Sequence, residues 1–408
     1  MDFSLSETAL QRRELLHAVA ENMMRPISRE FDENEHSDAW DFFNTMWEFS
    51  SASPADAQIS GDAENKKKGP SERTLIAAIQ IEELSWGDAG LYLSIPNPAL
   101  GGAAVNAAGT PEQKKRFLGD FHSGKPRWAA MAITEPHFGS DSKQVATTAV
   151  RDGDEWVLNG TKIFCTSGKR ALEDSDGFVV VWATLDASKG RAAIKSFIVP
   201  AGTPGVTVDK LEHKMGIRAS DTAVIRLEDA RIPADNLLGS AEISDKGREG
   251  FKGVMATFDA TRPIVAASAL GIAQAAVDFV TDALVEAGIE IRYEAGTREM
   301  TVLEKEVIDM QSQLQAARLL TWRACNMIDR GERNSREASM CKSKAGLAVT
   351  LITQKAVELL GPLGYSRKNL LEKWMRDAKI NDIFEGTQQI NLMIVARSIL
   401  GYSSKELN

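Results

Sequence analysis

The chain has 408 residues, 43% hydrophobic and 26% charged, with a formal net charge of −9. That length exceeds one simple core and predicts two or three domains. The acidic balance argues against non-specific nucleic-acid binding, which needs basic stripes.

Membrane and metal signals are equally sparse. No window approaches 18 uncharged apolar residues, so neither a transmembrane helix nor a membrane partner is expected. The N-terminal "MDFSLSETALQRRELL" lacks the apolar run of a secretory signal. Cys165, Cys325 and Cys341 show no zinc or disulfide spacing. No metal site and a reducing, cytoplasmic location are the expectations.

In chain order, residues 3–49 read mostly as helix, with Ser4 or Ser6 as candidate N-cap. Residues 50–70 are small, polar and aperiodic, which predicts a loop carrying the basic triplet Lys66–Lys68. Residues 71–84 and 112–121 look helical again. From 128 to 239 the segments are short and β-branched, as in "EWVLNGTKIFC", "GFVVVWATL", "IKSFIVP" and "TAVIRLEDARI". Asn159-Gly160 is the strongest hairpin-turn signal among them. From 247 onward long amphipathic helices follow one another, the pattern of a bundle. The expected fold class is α+β multidomain: an N-terminal α domain (1–125), a middle β-barrel domain (126–240) and a C-terminal four-helix-bundle-type domain (241–408).

Three stretches carry candidate chemistry. In "MAITEPHFGSD", residues 131–141, hydroxyls and the backbone around Gly139 can bind oxygen-rich groups. In "KIFCTSG", residues 162–168, strand alternation sets Phe164 and Thr166 on one face and Cys165 on the other. A flat ring beside a hydroxyl suits a planar heterocycle, and equally a core Phe beside a turn Thr. In "IFEGTQQI", residues 383–390, Glu385 sits among apolar residues, Gly386 breaks the chain and Thr387 can cap the last helix. Apolar surroundings raise a carboxylate's pKa, so Glu385 is a paired structural acid, a turn residue or a poised base.

These three stretches, with "KMGIRASDTA" (214–223) and "FDATRP" (258–263) between them, resemble in order and wording the acyl-CoA dehydrogenase family of flavoproteins. The resemblance runs from about residue 72 to 400. It implies FAD as cofactor, with Met131, Ile133, Thr134, Gly139, Ser140, Phe164, Thr166, Thr387 and Gln389 as cofactor contacts. It places Ser140, Asp259, Arg262 and Gly386 on the substrate side, although Asp259 and Arg262 read equally well as a helix ion pair. Glu385 becomes the α-proton base and flavin N5 the hydride acceptor, giving a trans-2-enoyl-CoA. The backbone N–H of Glu385 and a flavin ribityl hydroxyl would stabilise the enolate. The family's alternative base lies on the helix that opens the bundle, and no Glu occurs there between 254 and 271. Electrons would pass to an electron-transfer flavoprotein, from a homotetramer built as a dimer of dimers. Arg376 and Asp377 of "MRDAK" read as a structural pair.

The departures cluster at the ADP end of FAD. "LVEAGIEIRYEAGTREM" lacks the family's Arg followed by Phe-Gly, with Arg292 as the substitute on offer. "ELLGPLGY" has Glu358 for an amide and Pro362 for a glycine, and a carboxylate there repels a diphosphate. Alternatives are therefore a heteromer whose related subunit completes the FAD site, an oxidase or lyase on the same fold, and a non-catalytic subunit. Small residues from Gly101 to Ala104 offer room for a bulky or branched acyl chain.

Overall fold

The structure is a computed structural model that describes residues 4–52, 71–119, 121–243, 249–402 and 406. Most of the predicted 50–70 loop, with Lys66–Lys68, lies outside the described residues. The N-terminal part contains α1 (Glu7–Val19), a π-turn (Ala20–Met24), α2 (Arg25–Glu33), α3 (Trp40–Ala52), α4 (Arg73–Ser94), α5 (Ala99–Ala108) and α6 (Pro111–Leu118). Ser6, not Ser4, caps α1 by accepting the Ala9 N–H. Thr110 and Gln113 close a reciprocal capping box on α6.

The glycines of α5 serve a different purpose from the one expected. A Cβ at Gly101 would stand 2.7 Å from the Ala130 carbonyl oxygen, and one at Gly102 would stand 2.6 Å from Pro98 Cβ. The small residues let α5 lie directly on the strand carrying Ala130. The space beside Gly101 is filled by that strand and the space beside Gly102 by Pro98, so neither glycine opens the roomy pocket expected of them.

The middle part is one eight-stranded sheet: β1 (Ala129–Ala132), β2 (Thr148–Asp152), β3 (Glu155–Thr166), β4 (Phe178–Thr184), β5 (Ile194–Pro200), β6 (Val206–Leu211), β7 (Thr222–Pro233) and β8 (Leu237–Leu238). Its order is β6-β7-β3-β2-β4-β5-β8, with β1 parallel to β4. Strand β4 is buried throughout. Alternation sends Val179, Val181 and Ala183 into one apolar cluster and Phe178, Val180 and Trp182 into another.

Asn159-Gly160 is not a turn. Both residues lie inside β3, where the pairing with β7 slips by a residue. Asn159 fastens this bulge by exchanging hydrogen bonds with Asp229. The β2–β3 hairpin turns instead at Gly153-Asp154, where Gly153 has φ 58°.

The C-terminal part contains α7's successors; α7 itself (Gly168–Leu172) follows β3, and then come α8 (Glu249–Glu286), α9 (Val302–Asp329), α10 (Ser335–Leu360), α11 (Pro362–Tyr365), α12 (Leu371–Ala378) and α13 (Gln388–Leu400). Helix α8 is the bundle's central member. By length and composition its Thr257–Glu286 stretch could cross a membrane, but Ala266, Leu270, Ala273, Val277 and Val280 form the bundle core instead. Arg376 and Asp377 are structural, yet not paired with each other. Arg376 binds Asp32 and Glu372, while Asp377 binds Lys373 and the Ile217 N–H.

Candidate active site

Glu385 stands on a tight turn between Lys379–Asp382 and α13. Its φ is 54° and that of Gly386 is 85°, so two consecutive residues are left-handed. Glycine tolerates this, whereas a side chain there costs about 1–3 kcal/mol and needs surrounding structure to hold it. Several contacts supply the hold. Thr387 caps α13 by accepting the Ile390 N–H. Asn391 Nδ2 donates to the Gly386 carbonyl at 2.8 Å and to that of Thr387 at 3.1 Å. Lys342 Nζ, from α10, donates to the carbonyls of Asn381 and Gly386, each at 2.8 Å.

The carboxylate is turned toward α8. Thr261 Oγ1 donates to Glu385 Oε2 at 2.9 Å. Burial pushes the Glu385 carboxyl above the usual carboxylate range, partly offset by Thr261, Arg262 and Lys342. Pro263 follows Thr261 and Arg262 inside α8. Proline has no N–H for the Asp259 carbonyl one turn back, and Asn334 Nδ2 fills that acceptor at 3.1 Å. Arg262 is 3% exposed. It meets Asp259 at 3.1 Å and Ser339 Oγ at 3.4 Å. Asp259 also accepts from the Ser335 hydroxyl, so both its oxygens are engaged within the protein.

A second group of predicted residues gathers at one end of the sheet. The Ile163 N–H donates to the Thr134 carbonyl at 2.9 Å, which joins the two strand motifs directly. Met131 is buried, Ile133, Thr134 and Thr166 are half-buried, and Gly139 and Ser140 are exposed. A register slip between Lys162 and Cys165 interrupts the simple alternation. Phe164 has φ 58° and its ring is 59% exposed, while Cys165 is buried. The opposition of Phe164 to Cys165 thus holds, though by a bulge and not by a regular strand.

Two residues of this end escaped the sequence reading. Lys162 (0% exposed) and Glu135 (4%) form a buried pair at 2.7 Å. Lys162 also donates to the Ile133 carbonyl at 3.2 Å. Glu135 accepts from the backbone of Ala146 and Thr147 and from the Thr147 hydroxyl. Despite its burial, Lys162 and these donors hold the Glu135 carboxyl below the usual range. The signal was a lone lysine at an inward strand position and a lone acid in "TEP".

The Glu385 group and the sheet-end group sit on neighbouring elements. Helix α5 packs against both β1 and α8. Phe258 of α8 packs on the cluster that contains Met131. Gln389 is exposed on α13. Arg292, the predicted stand-in at the ADP end, is held by Glu304 through Nε at 2.7 Å and Nη2 at 2.8 Å. Glu358 points outward beside Lys355 at 3.0 Å. Elsewhere, Glu35, His36 and His213 bring ligand atoms within 4.8 Å of one another. Arg218 at 3.4 Å and Lys214 at 3.8 Å already neutralise Glu35, which disfavours a further cation.

The chain matches the acyl-CoA dehydrogenase family in three consecutive regions: its N-terminal domain over residues 6–125, its middle domain over 130–230 and its C-terminal domain over 248–400. It is 35% identical to the mitochondrial short-chain specific acyl-CoA dehydrogenase of Rattus norvegicus, covering 97% of this chain and 91% of that one. The solved butyryl-CoA dehydrogenase of Megasphaera elsdenii superposes with a TM-score of 0.84 at 31% identity, over 98% of this chain and all of that one. A chain solved in a study of the electron transferring flavoprotein of Acidaminococcus fermentans gives the same TM-score at 32% identity and the same coverage.

Proposed function

The chain belongs to the acyl-CoA dehydrogenase family of FAD-dependent oxidoreductases, and on that premise we propose that it oxidises a short, straight acyl-CoA with Glu385 as the base. The observation that carries this reading is the half-buried Glu385, its carboxyl raised above the usual range by burial and hydrogen-bonded by Thr261 on a left-handed turn. A thioester acidifies its α-C–H, but not enough for water to remove the proton at neutral pH. A carboxylate lifted out of water is a stronger base than a solvated one. Thr261 orients it, and Arg262 and Lys342 limit the cost of its charge. The backbone N–H of Glu385 would donate to the thioester oxygen as enolate character develops. The names of the relatives support a short acyl chain.

FAD, when bound, supplies the acceptor for the β-hydride. The residues at the sheet end fit its ring system: an outward Phe164 face lies beside half-buried Thr134 and Thr166. Met131 and Ile133 would line that site, with Thr387 and Gln389 approaching from α13 and Ser140 toward the phosphates or the CoA arm. The ADP end is different. Arg292 is spent on Glu304, which supports another route for the diphosphate.

Leu347 and Leu351 of α10, with Leu392, Met393, Ile399 and Leu400 of α13, are exposed apolar side chains on two helices in mutual contact. Such a patch supports burial in an oligomer, and a tetramer is the expected assembly. Sedimentation at the mass of four chains checks this; a monomer contradicts it. The three cysteines are buried free thiols, in keeping with a cytoplasmic location. The function is tested by turnover. Butyryl-CoA should reduce added electron-transfer flavoprotein, with oxygen consumed slowly. Fast oxygen consumption without reduction of that partner would identify an oxidase and overturn the reading.

A further inference from the structure

Lys342 has the burial of a core residue and the chemistry of a surface one. It is 2% exposed on α10, among Ala338, Cys341, Ala345 and Val349. A buried ammonium is costly unless its donors are satisfied and a counter-charge is near. Here two donors go to main-chain carbonyls, Asn381 on one side of Glu385 and Gly386 on the other. The ammonium also stands 5.9 Å from the centre of the Phe384 ring. Its contacts are thus with the turn that carries Glu385, residue by residue. None of them is explained by helix packing, since an apolar side chain would fill the same core position more cheaply.

We propose that Lys342 is a positioning residue for Glu385, pinning both ends of its left-handed turn and supplying the nearby positive charge that keeps the carboxylate ionised. This inference rests on the reading of Glu385 as the base. The pinning addresses the backbone: a non-glycine residue at φ 54° relaxes unless its neighbours are held. The charge addresses the side chain. Lys342 and Arg262 are the cations that favour ionised Glu385, and Thr261 adds a hydrogen bond.

Other ionisable groups face the same site. On α8, Asp259 is paired with Arg262. On the turn, Asp382 is paired with Lys379 and bonded by Thr350. On α10, Cys341 is a buried thiol pushed up to about 12, chiefly by burial. Burial lowers Lys342 to about 8, against Glu385 and Asp382, which raise it. Glu385 must lose its proton to act and Lys342 must keep its own. The rate of proton abstraction should therefore rise with pH through the raised Glu385 pKa and fall again near pH 8.

The test is rapid anaerobic mixing of flavin-loaded protein with saturating butyryl-CoA across pH, for the wild type, Lys342→Met and Lys342→Arg. In Lys342→Met the acid limb should move up by about one pH unit, and the alkaline limb should vanish. Lys342→Arg should restore the acid limb in part, because it keeps the charge. A readout independent of turnover is the infrared band of the protonated Glu385 carboxyl, assigned by its loss in Glu385→Gln and titrated with and without flavin. It should persist to higher pH in Lys342→Met. A folded Lys342→Met with both limbs unmoved overturns the proposal. If that variant does not fold, Lys342→Gln is read in its place, and an unmoved acid limb with an unmoved carboxyl band overturns the proposal equally. A wild type whose flavin is bleached by no acyl-CoA would instead refute the reading of Glu385 on which the proposal stands.

Discussion

Glu385→Gln should slow acyl-CoA-dependent flavin bleaching by about 10²–10⁴-fold, the usual contribution of a positioned general base. Gln keeps the shape and can still accept the Thr261 hydrogen bond, so flavin and acyl-CoA should bind as before. Stability should move the other way. The folded state raises the Glu385 pKa, so it holds its proton more tightly than the unfolded chain does. Stability from this group is fully present below the ordinary carboxylate pKa and is lost as pH rises through the raised one. At neutral pH the ionised carboxylate therefore costs stability, and Gln removes that cost. Calorimetry at pH 7 should show a higher melting temperature for the variant, with the difference vanishing in acid. A variant that is slower but also less stable at pH 7 would mean that Glu385 mainly holds the turn together.

Lys162→Met should destabilise the protein by about 3–5 kcal/mol, the range for removing one partner of a buried ion pair. Glu135 would be left 4% exposed beside an apolar group, with only Thr147 and the Ala146 and Thr147 N–H groups as donors. The lesion falls where β3 meets the Thr134 segment, so flavin retention should fall with stability. Urea unfolding and the flavin-to-protein absorbance ratio check the two parts. The double variant Lys162→Met/Glu135→Gln should recover much of the loss, because no uncompensated charge remains. Equal stability of the single variant and the wild type would show that the pair is dispensable.

Much of this fold could be read from local patterns. Runs such as "GFVVVWATL" become strands because β-branched residues fit a pleated sheet buried on both faces. The long helices follow from apolar periodicity, and the Thr387 cap from a hydroxyl placed just before an apolar run. Failures came where distant contacts outvote local preference. Asn159-Gly160 has strong turn propensity, yet pairing with β7 keeps it in the strand as a bulge. The glycines of α5 looked like pocket space, but close approach to β1 requires Gly101, and Pro98 fills the space beside Gly102.

The candidate site was legible in its exposed chemistry and hidden in its supports. Glu385, Thr134, Phe164 and Thr166 stand in recognisable strings. Lys162 and Glu135 meet across 27 positions of sequence, and Lys342 reaches Gly386 across 44. A lone lysine in a helix reads as a solvated residue until its partners are seen. Arg292 shows the opposite case: a conspicuous cation in the sequence, it is paired with Glu304 in the fold.

The most direct measurement is the visible spectrum of the purified, flavin-loaded protein during anaerobic titration with saturated acyl-CoAs of increasing chain length. The account predicts prompt bleaching by a short straight-chain thioester, weaker bleaching as the chain lengthens, and no prompt bleaching of Glu385→Gln by the same thioester. Oxidised flavin that persists against every acyl-CoA, or bleaching as fast in Glu385→Gln as in the wild type, would contradict it.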